Sequence, residues 1–295
     1  MWVTYGLLAG VVLGLYDFWT KKGMEGNGVM AVVFWSALFG AMAWSVAFLP
    51  ISATSGFHVD VSTTTPKQQA LILFKGLMMT GSWIFAYYSV RELPMSFSGA
   101  MRASGPLWTF VGGALVFGEL LTPIQFGVVL VSVIAYFVLS QIGKKEGISV
   151  NRSLPVLMML LATILSAMTT VYDKWLVQVL ELRPNDIQAW SALHRCVVSG
   201  LIMLWFCRDG RGPFVPKWSI WIPLIGLAWV GAEWIYFLAI QDPDANVTYL
   251  SVFRRASLVI GFLLSIFLIG ENNVRQKAVV ILILLASTIT LVLQA

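Results

Sequence analysis

The sequence predicts an all-α membrane protein of ten transmembrane helices, arranged as two inverted five-helix repeats. Three observations predict it. The 295 residues are 58% hydrophobic and only 11% charged, whereas soluble chains carry about 25% charged residues. Apolar runs recur along the chain, each near the roughly 20 residues needed to cross a bilayer. Landmarks of the first half return in the second half in the same order.

The predicted spans are 3–20, 29–49, 70–90, 96–118, 122–142, 154–178, 188–207, 218–240, 247–269 and 274–293. The first begins without a basic stretch, so it reads as a span and not as a cleaved leader. It ends in "YDFW", Tyr16 to Trp19. The sixth ends in "YDKW", Tyr172 to Trp175, an offset of 156. At that offset Gly6, Gly10 and Gly14 match Ala162, Ser166 and Thr170, a stripe of small residues at helical spacing. Trp35 in the second span matches Trp190 in the seventh. In the third and eighth, "SWIF" at 82–85 matches "EWIY" at 233–236. "RAS" at 102–104 and at 255–257 marks the fourth and ninth. "GE" at 118–119 and at 270–271 precedes the fifth and tenth. The first repeat is residues 1–143, the connecting loop 144–153, and the second repeat 154–295. Five spans per repeat is an odd number, so the second repeat enters the membrane from the opposite side. That is the plan of many secondary transporters, whose substrates bind near mid-membrane between the halves.

At this point the chain resembles the drug/metabolite transporter superfamily, in its ten-span EamA-like branch. The resemblance rests on the duplicated five-span plan and on "GELLTPIQFGVVLVSVIAYFVL", residues 118–139. The matching "GENNVRQKAVVILILLASTITLV" lacks the glycine in its last span. The resemblance implies a transporter, and leaves open amino acids, sugars, nucleotide derivatives, amines and drugs as cargo.

Charge sets the expected orientation. Loops after odd-numbered spans hold Lys21, Lys22, Arg91, Lys144, Lys145, Arg152, Arg208, Arg211, Lys217, Arg275 and Lys277, against Lys67 and Arg183 opposite. The positive-inside rule puts the larger set in the cytoplasm and both termini outside, in a bacterial inner membrane. The resemblance implies cytoplasmic termini; the size of the bias and the shortness of the loops favour the charges.

The buried charges mark a candidate site. Span direction puts Asp17 at the depth of Arg102, and the repeat puts Asp173 at the depth of Arg255, nearer the other face. Each pair reads as a gate at one mouth of a central cavity, or as a static staple. A second group has no repeat counterpart: Arg254 aligns with Met101, His194 and Arg195 with Phe39 and Gly40, Glu233 with Ser82. These gather near Asp173. Three arginines against two carboxylates leave room for an anionic group, and arginine suits carboxylate or phosphate. Glu233 and His194 are candidates to carry a coupling proton. Trp83 and Trp234 are candidate cavity walls. A zwitterion such as an amino acid would suit arginines, carboxylates and aromatics together. Pro106 predicts a kink in the fourth span, unshared because Val259 stands opposite it.

The expected function is a secondary transporter of a small polar metabolite, anionic or zwitterionic, working by alternating access. The alternatives are an exporter of organic cations or drugs, and a flippase of a phosphate-bearing lipid. A channel would differ by failing to saturate. No enzymatic motif stands out: H-E-x-x-H, G-x-S-x-G and Walker A are all missing from the sequence. No catalytic residue, metal or cofactor is expected, and Cys196 and Cys207 imply no disulfide framework. The expected partners are the substrate, membrane lipids and a proton, with no nucleic acid, the chain acting as monomer or homodimer. A reporter active only in the cytoplasm, fused to the C-terminus, is expected to stay silent; strong activity would reverse the orientation.

Overall fold

The computed structural model describes residues 1–48, 61–93, 98, 101–102, 104–144, 154–210, 213–255, 257–268 and 274–293. Residues 145–153 of the connecting loop, with Lys145 and Arg152, lie outside them, as do Arg211 and the second "GE" at 270–271. The described residues are helical or in turns and loops, with no strand among them.

The helices are α1 (Trp2–Gly23), α2 (Val29–Ser45, continued by a 3₁₀ turn at Val46–Phe48), α3 (Pro66–Glu92), α4 (Gly105–Phe117), α5 (Pro123–Lys144) and α6 (Leu154–Lys174). They continue as α7 (Pro184–Arg208), α8 (Trp221–Ile240), α9 (Val247–Arg254), α10 (Ser257–Leu268) and α11 (Val274–Val292). Among the described residues, six helices are long and apolar enough to cross a membrane: α1, α2 with its 3₁₀ turn, α3, α6 with its extension, α7 and α8. Local chemistry sets their ends. Proline opens α3, α5 and α7, where its missing N–H costs nothing. Thr65 and Gln68 form a reciprocal capping box on α3. Asn246 accepts from the N–H groups of Thr248 and Tyr249 at the start of α9. Gly118, at φ +67°, stops α4 in the left-handed conformation.

Two expected spans are broken. The region predicted as a continuous helix over 247–269 ends as α9 at Arg254 and resumes as α10 at Ser257. Arg255 N–H bonds back three residues to Val252 at 2.9 Å, a 3₁₀ turn that halts the α ladder. In the fourth span Ser104 N–H bonds to Met101 O at 3.3 Å, and α4 starts at Gly105 with Pro106 behind it. Both breaks fall at the "RAS" landmark. The break is therefore common to both halves, contrary to the expectation drawn from Pro106 alone. A second irregularity closes α6, which widens into a π-turn over Trp175–Val179, with Glu181 beyond it at φ +54°.

Packing contacts occur in matched sets. α1 packs on α8 as α3 packs on α6, α2 on α8 as α7 on α3, and α1 on α9 and α10 as α6 on α4. α2 meets α7, α4 meets α9, and α5 meets α11. Lipid supplies no hydrophobic drive between helices, so close fit must hold them. The glycines of α1 provide it. A methyl on Gly6 would sit 2.9 Å from Leu250 Cδ2, and one on Gly14 2.9 Å from Ser257 O. The α1 stripe thus seats α9 and α10. The matching α6 stripe, Ala162, Ser166 and Thr170, lines a cavity instead.

Candidate functional site

Between the helices lies a cavity of about 90 Å³. Its walls are Leu13, Tyr16 and Asp17 of α1, Met79, Ser82, Trp83 and Ala86 of α3, and Arg102. The α6 wall is Ala162, Thr163, Ser166, Thr169, Thr170 and Asp173. Trp229, Glu233 and Tyr236 of α8 complete it with Ser251, Arg254, Arg255 and Ser257. The α6 residues recur at three- and four-residue intervals, so one helix face runs along the cavity.

One end holds Asp17. Arg102 Nη1 donates to Asp17 Oδ1, and beside them the hydroxyls of Tyr16 and Tyr87 share a 2.9 Å hydrogen bond. Both charged side chains keep a little under a fifth of their surface accessible. The pair joins α1 to the start of the broken fourth span, as span direction suggests.

The other end differs from the sequence expectation. The ion-pair partner of Asp173 is Lys75 of α3, 3.0 Å from Asp173 Oδ1, in place of the expected Arg255. Lys75 Nζ also donates to Glu233 Oε1 at 2.8 Å and lies 4.4 Å from the centroid of the Phe237 ring. It is fully buried. Its ammonium bridges α6 and α8 from α3. Arg255 packs its guanidinium against Gly105, where any side chain would collide with it. The physical reason is reach: a lysine on the facing helix α3 sits opposite α6, while Arg255 points from the break toward α4.

Glu233 is satisfied on both oxygens. Its Oε2 accepts from Trp229 Nε1 at 2.8 Å and from Arg195 Nη2 at 3.3 Å. Arg195 therefore lies behind Glu233 and off the cavity wall. Its guanidinium covers the faces of Trp83 at 4.8 Å and Trp229 at 5.6 Å. Arg254 faces the cavity, 4.6 Å over the Tyr236 ring, with Nη1 3.4 Å from Thr170 Oγ1. His194 and Trp234 are not on the cavity wall. The Cβ of His194 lies against Gly76, and the Trp234 ring stacks on Trp44 at 5.6 Å. Of the residues singled out from sequence, the cavity therefore gathers Asp17, Trp83, Arg102, Asp173, Glu233, Arg254 and Arg255.

Sequence reasoning passed over Lys75, although a lone lysine in "LFKGL" is an intramembrane charge and so a candidate by itself. At the offset aligning Ser82 with Glu233, its counterpart is Gly226. A second missed cluster lies beyond Asp173. Lys174 pairs with Glu119 of the first "GE" and donates to Ala245 O at 2.8 Å. Glu119 Oε2 accepts the N–H of Val247, the first residue of α9, at 3.3 Å. This knot ties the ends of α4 and α6 to the start of α9.

The EamA-like transporter family model matches residues 1–141, which places the chain in the drug/metabolite transporter superfamily. The match and the apolar helices together support an integral membrane protein related to small-molecule transporters. A solved crystal structure superposes over 100% of this chain and 96% of its own length, with a TM-score of 0.73 and 16% sequence identity. At that identity the likeness speaks to the fold alone. No curated protein matches the sequence.

Removing one partner of a buried ion pair costs about 3–5 kcal/mol, because a charge is stranded. Lys75→Met strands Asp173 and leaves Glu233 with Arg195 and Trp229, and should lower thermal stability in detergent by that order. The double variant Lys75→Met/Asp173→Asn removes one charge of each sign and retains the Glu233–Arg195 pair. It should recover much of the loss. Equal or additive losses would show that Lys75 does not pair with Asp173.

Proposed function

We propose that this protein is a ten-span secondary transporter of inverted five-helix repeats that moves a small polar anion or zwitterion by alternating access. The observation that carries the reading is the charge around the cavity. Among the described residues, its wall holds Arg102, Arg254 and Arg255 with Asp17, Asp173 and Glu233, while Lys75 and Arg195 hold Asp173 and Glu233 from behind the wall. Each of these carboxylates is paired with a cation of the chain, and Arg254 faces the cavity against the Thr170 hydroxyl and the Tyr236 ring. Excess charge of one sign inside a membrane is unfavourable, and a ligand of opposite sign offsets it. The inverted-repeat plan is supported by the matched packing sets: exchanging each span with the one five later maps every set onto another or onto itself. The ten-span count takes α9 and α10 as one broken span.

In this reading Asp17–Arg102 is the gate at one mouth. The Lys174–Glu119 knot with Val247 is its counterpart at the other, since both tie the broken spans to α1 or α6. Lys75 holds the interior layer between them and keeps Asp173 and Glu233 paired while a gate opens. The charge bias favours termini outside the cytoplasm of a bacterial cell.

A cation as cargo is less well supported. The faces of Trp83 and Trp229 carry Arg195, and Tyr236 carries Arg254, so the chain's own guanidinium groups take the positions a cationic drug would use.

The test is saturable uptake by proteoliposomes, run beside thermal shift in detergent with anionic, zwitterionic and cationic metabolites. Acids or zwitterions should stabilise the protein and enter the vesicles saturably. Arg254→Met removes a charge-assisted bond, for which about 1.5–3 kcal/mol is typical, so affinity should fall roughly 10- to 100-fold. Stabilisation by cations alone, undiminished in the variant, would overturn the reading; non-saturating flux would indicate a channel.

A further inference from the structure

We infer that the substrate is a net anion carrying several hydroxyl groups, its charged head on Arg254 and its hydroxyls along the α6 wall; this rests on the transporter reading above.

The argument starts from which groups are already committed. Every carboxylate on the cavity wall is held by a cation of the chain: Asp17 by Arg102, Asp173 by Lys75, Glu233 by Lys75 and Arg195. A substrate ammonium would have to displace one of these, leaving an arginine or lysine stranded in the membrane. A zwitterion meets that obstacle at its ammonium. A net anion does not.

Arg254 offers the head group a place. A guanidinium has five N–H donors. Among the described residues, its hydrogen bond to Thr170 is long, at 3.4 Å, and its face rests on Tyr236. The remaining donors are available to a carboxylate or phosphate in the cavity that Arg254 lines.

Four hydroxyls of the wall, three of them on α6, have a fixed polarity. Thr163 Oγ1 donates to Met159 O at 2.8 Å, Thr169 Oγ1 to Leu165 O at 2.8 Å, and Thr170 Oγ1 to Ser166 O at 3.1 Å. From α3, Ser82 Oγ donates to Ala162 O at 2.9 Å. A hydroxyl has one proton and two lone pairs. Each of these spends its proton on a helix carbonyl, so what it presents to the cavity is an acceptor. A row of acceptors cannot solvate a carboxylate. It can receive O–H donors from the body of a ligand whose negative end is elsewhere. Hydroxylated carboxylates and phosphate esters of polyols both have this pattern.

The experiment uses small probes with the purified full chain, four-carbon in the carboxylate arm and three-carbon in the phosphate arm. Threonate has a carboxylate and three hydroxyls. Butyrate has the carboxylate alone. Threonine adds a compensating ammonium. Glycerol 3-phosphate and propyl phosphate form the phosphate arm, which decides between the two head groups. Thermal shift reports binding, and proteoliposome uptake reports movement. Threonate or glycerol 3-phosphate should stabilise the protein and be taken up, each ahead of its hydroxyl-free counterpart. Thr163→Val, which keeps the shape and removes one acceptor far from Arg254, should weaken the hydroxylated anion roughly two- to tenfold and leave butyrate or propyl phosphate unchanged. Equal binding of hydroxylated and hydroxyl-free anions overturns the inference, as does an unaltered response of Thr163→Val. Binding and uptake of threonine in place of threonate also overturns it, while the transporter reading stands. If neither hydroxylated anion binds, the inference fails, and saturable uptake of any other metabolite in the same vesicles would show that the transporter reading survives it.

Discussion

The ammonium of Lys75 is the constraint on which the interior of this protein depends. It is fully buried, it bridges Asp173 and Glu233, and it draws on three helices at once. A membrane interior offers no water to hold a stray charge. The two carboxylates and the lysine therefore need one another, and Arg195 and Trp229 complete the shell of Glu233. Once that layer is set, α3, α6 and α8 have a common register. The aromatic wall follows, because Trp229 is oriented by Glu233 and lies 4.9 Å from Trp83 and 5.2 Å from Tyr16.

The layer also makes the halves unequal. Each half contributes a Tyr-Asp at the end of its first span. In the first half the aspartate meets Arg102, and both line one end of the cavity. In the second half the aspartate turns to a lysine from α3, and the next residue, Lys174, takes up the contact with Glu119 and α9. Adjacent helical residues point about 100° apart, so Asp173 and Lys174 serve two different networks from one turn. The π-turn begins directly after them. The second half thus carries an interior charge layer that has no counterpart in the first, and the cavity lies between that layer and the Asp17–Arg102 pair.

Much of this is legible in the sequence. The apolar runs set the helices, and short repeated landmarks relate the two halves. Asp17 and Arg102 could be matched because depth follows from span direction. Lys75 could not be found that way: its counterpart is Gly226, and landmarks that recur draw attention away from one that does not. The same logic misassigned Asp173, because symmetry predicts Arg255 and says nothing of a long side chain reaching across from α3. His194 stands out for lacking a repeat counterpart, and Trp234 for standing beside Glu233. Adjacent positions on a helix face different ways, and both residues lie off the cavity wall. The break at Arg255 carries no proline, so only the backbone reveals it. The polarity of the α6 hydroxyls is likewise a matter of hydrogen-bond geometry, invisible in a list of serines and threonines.

The most direct test of the central interaction is a solid-state NMR distance measurement in lipid bilayers. It would run between ¹⁵N-labelled lysine ammonium and ¹³C-labelled aspartate and glutamate carboxylates, with Lys75→Arg identifying the Lys75 signal. The account predicts that this one ammonium dephases both an aspartate and a glutamate carboxylate at hydrogen-bonding range. A Lys75 ammonium coupled to one carboxylate alone, or to neither, would contradict it.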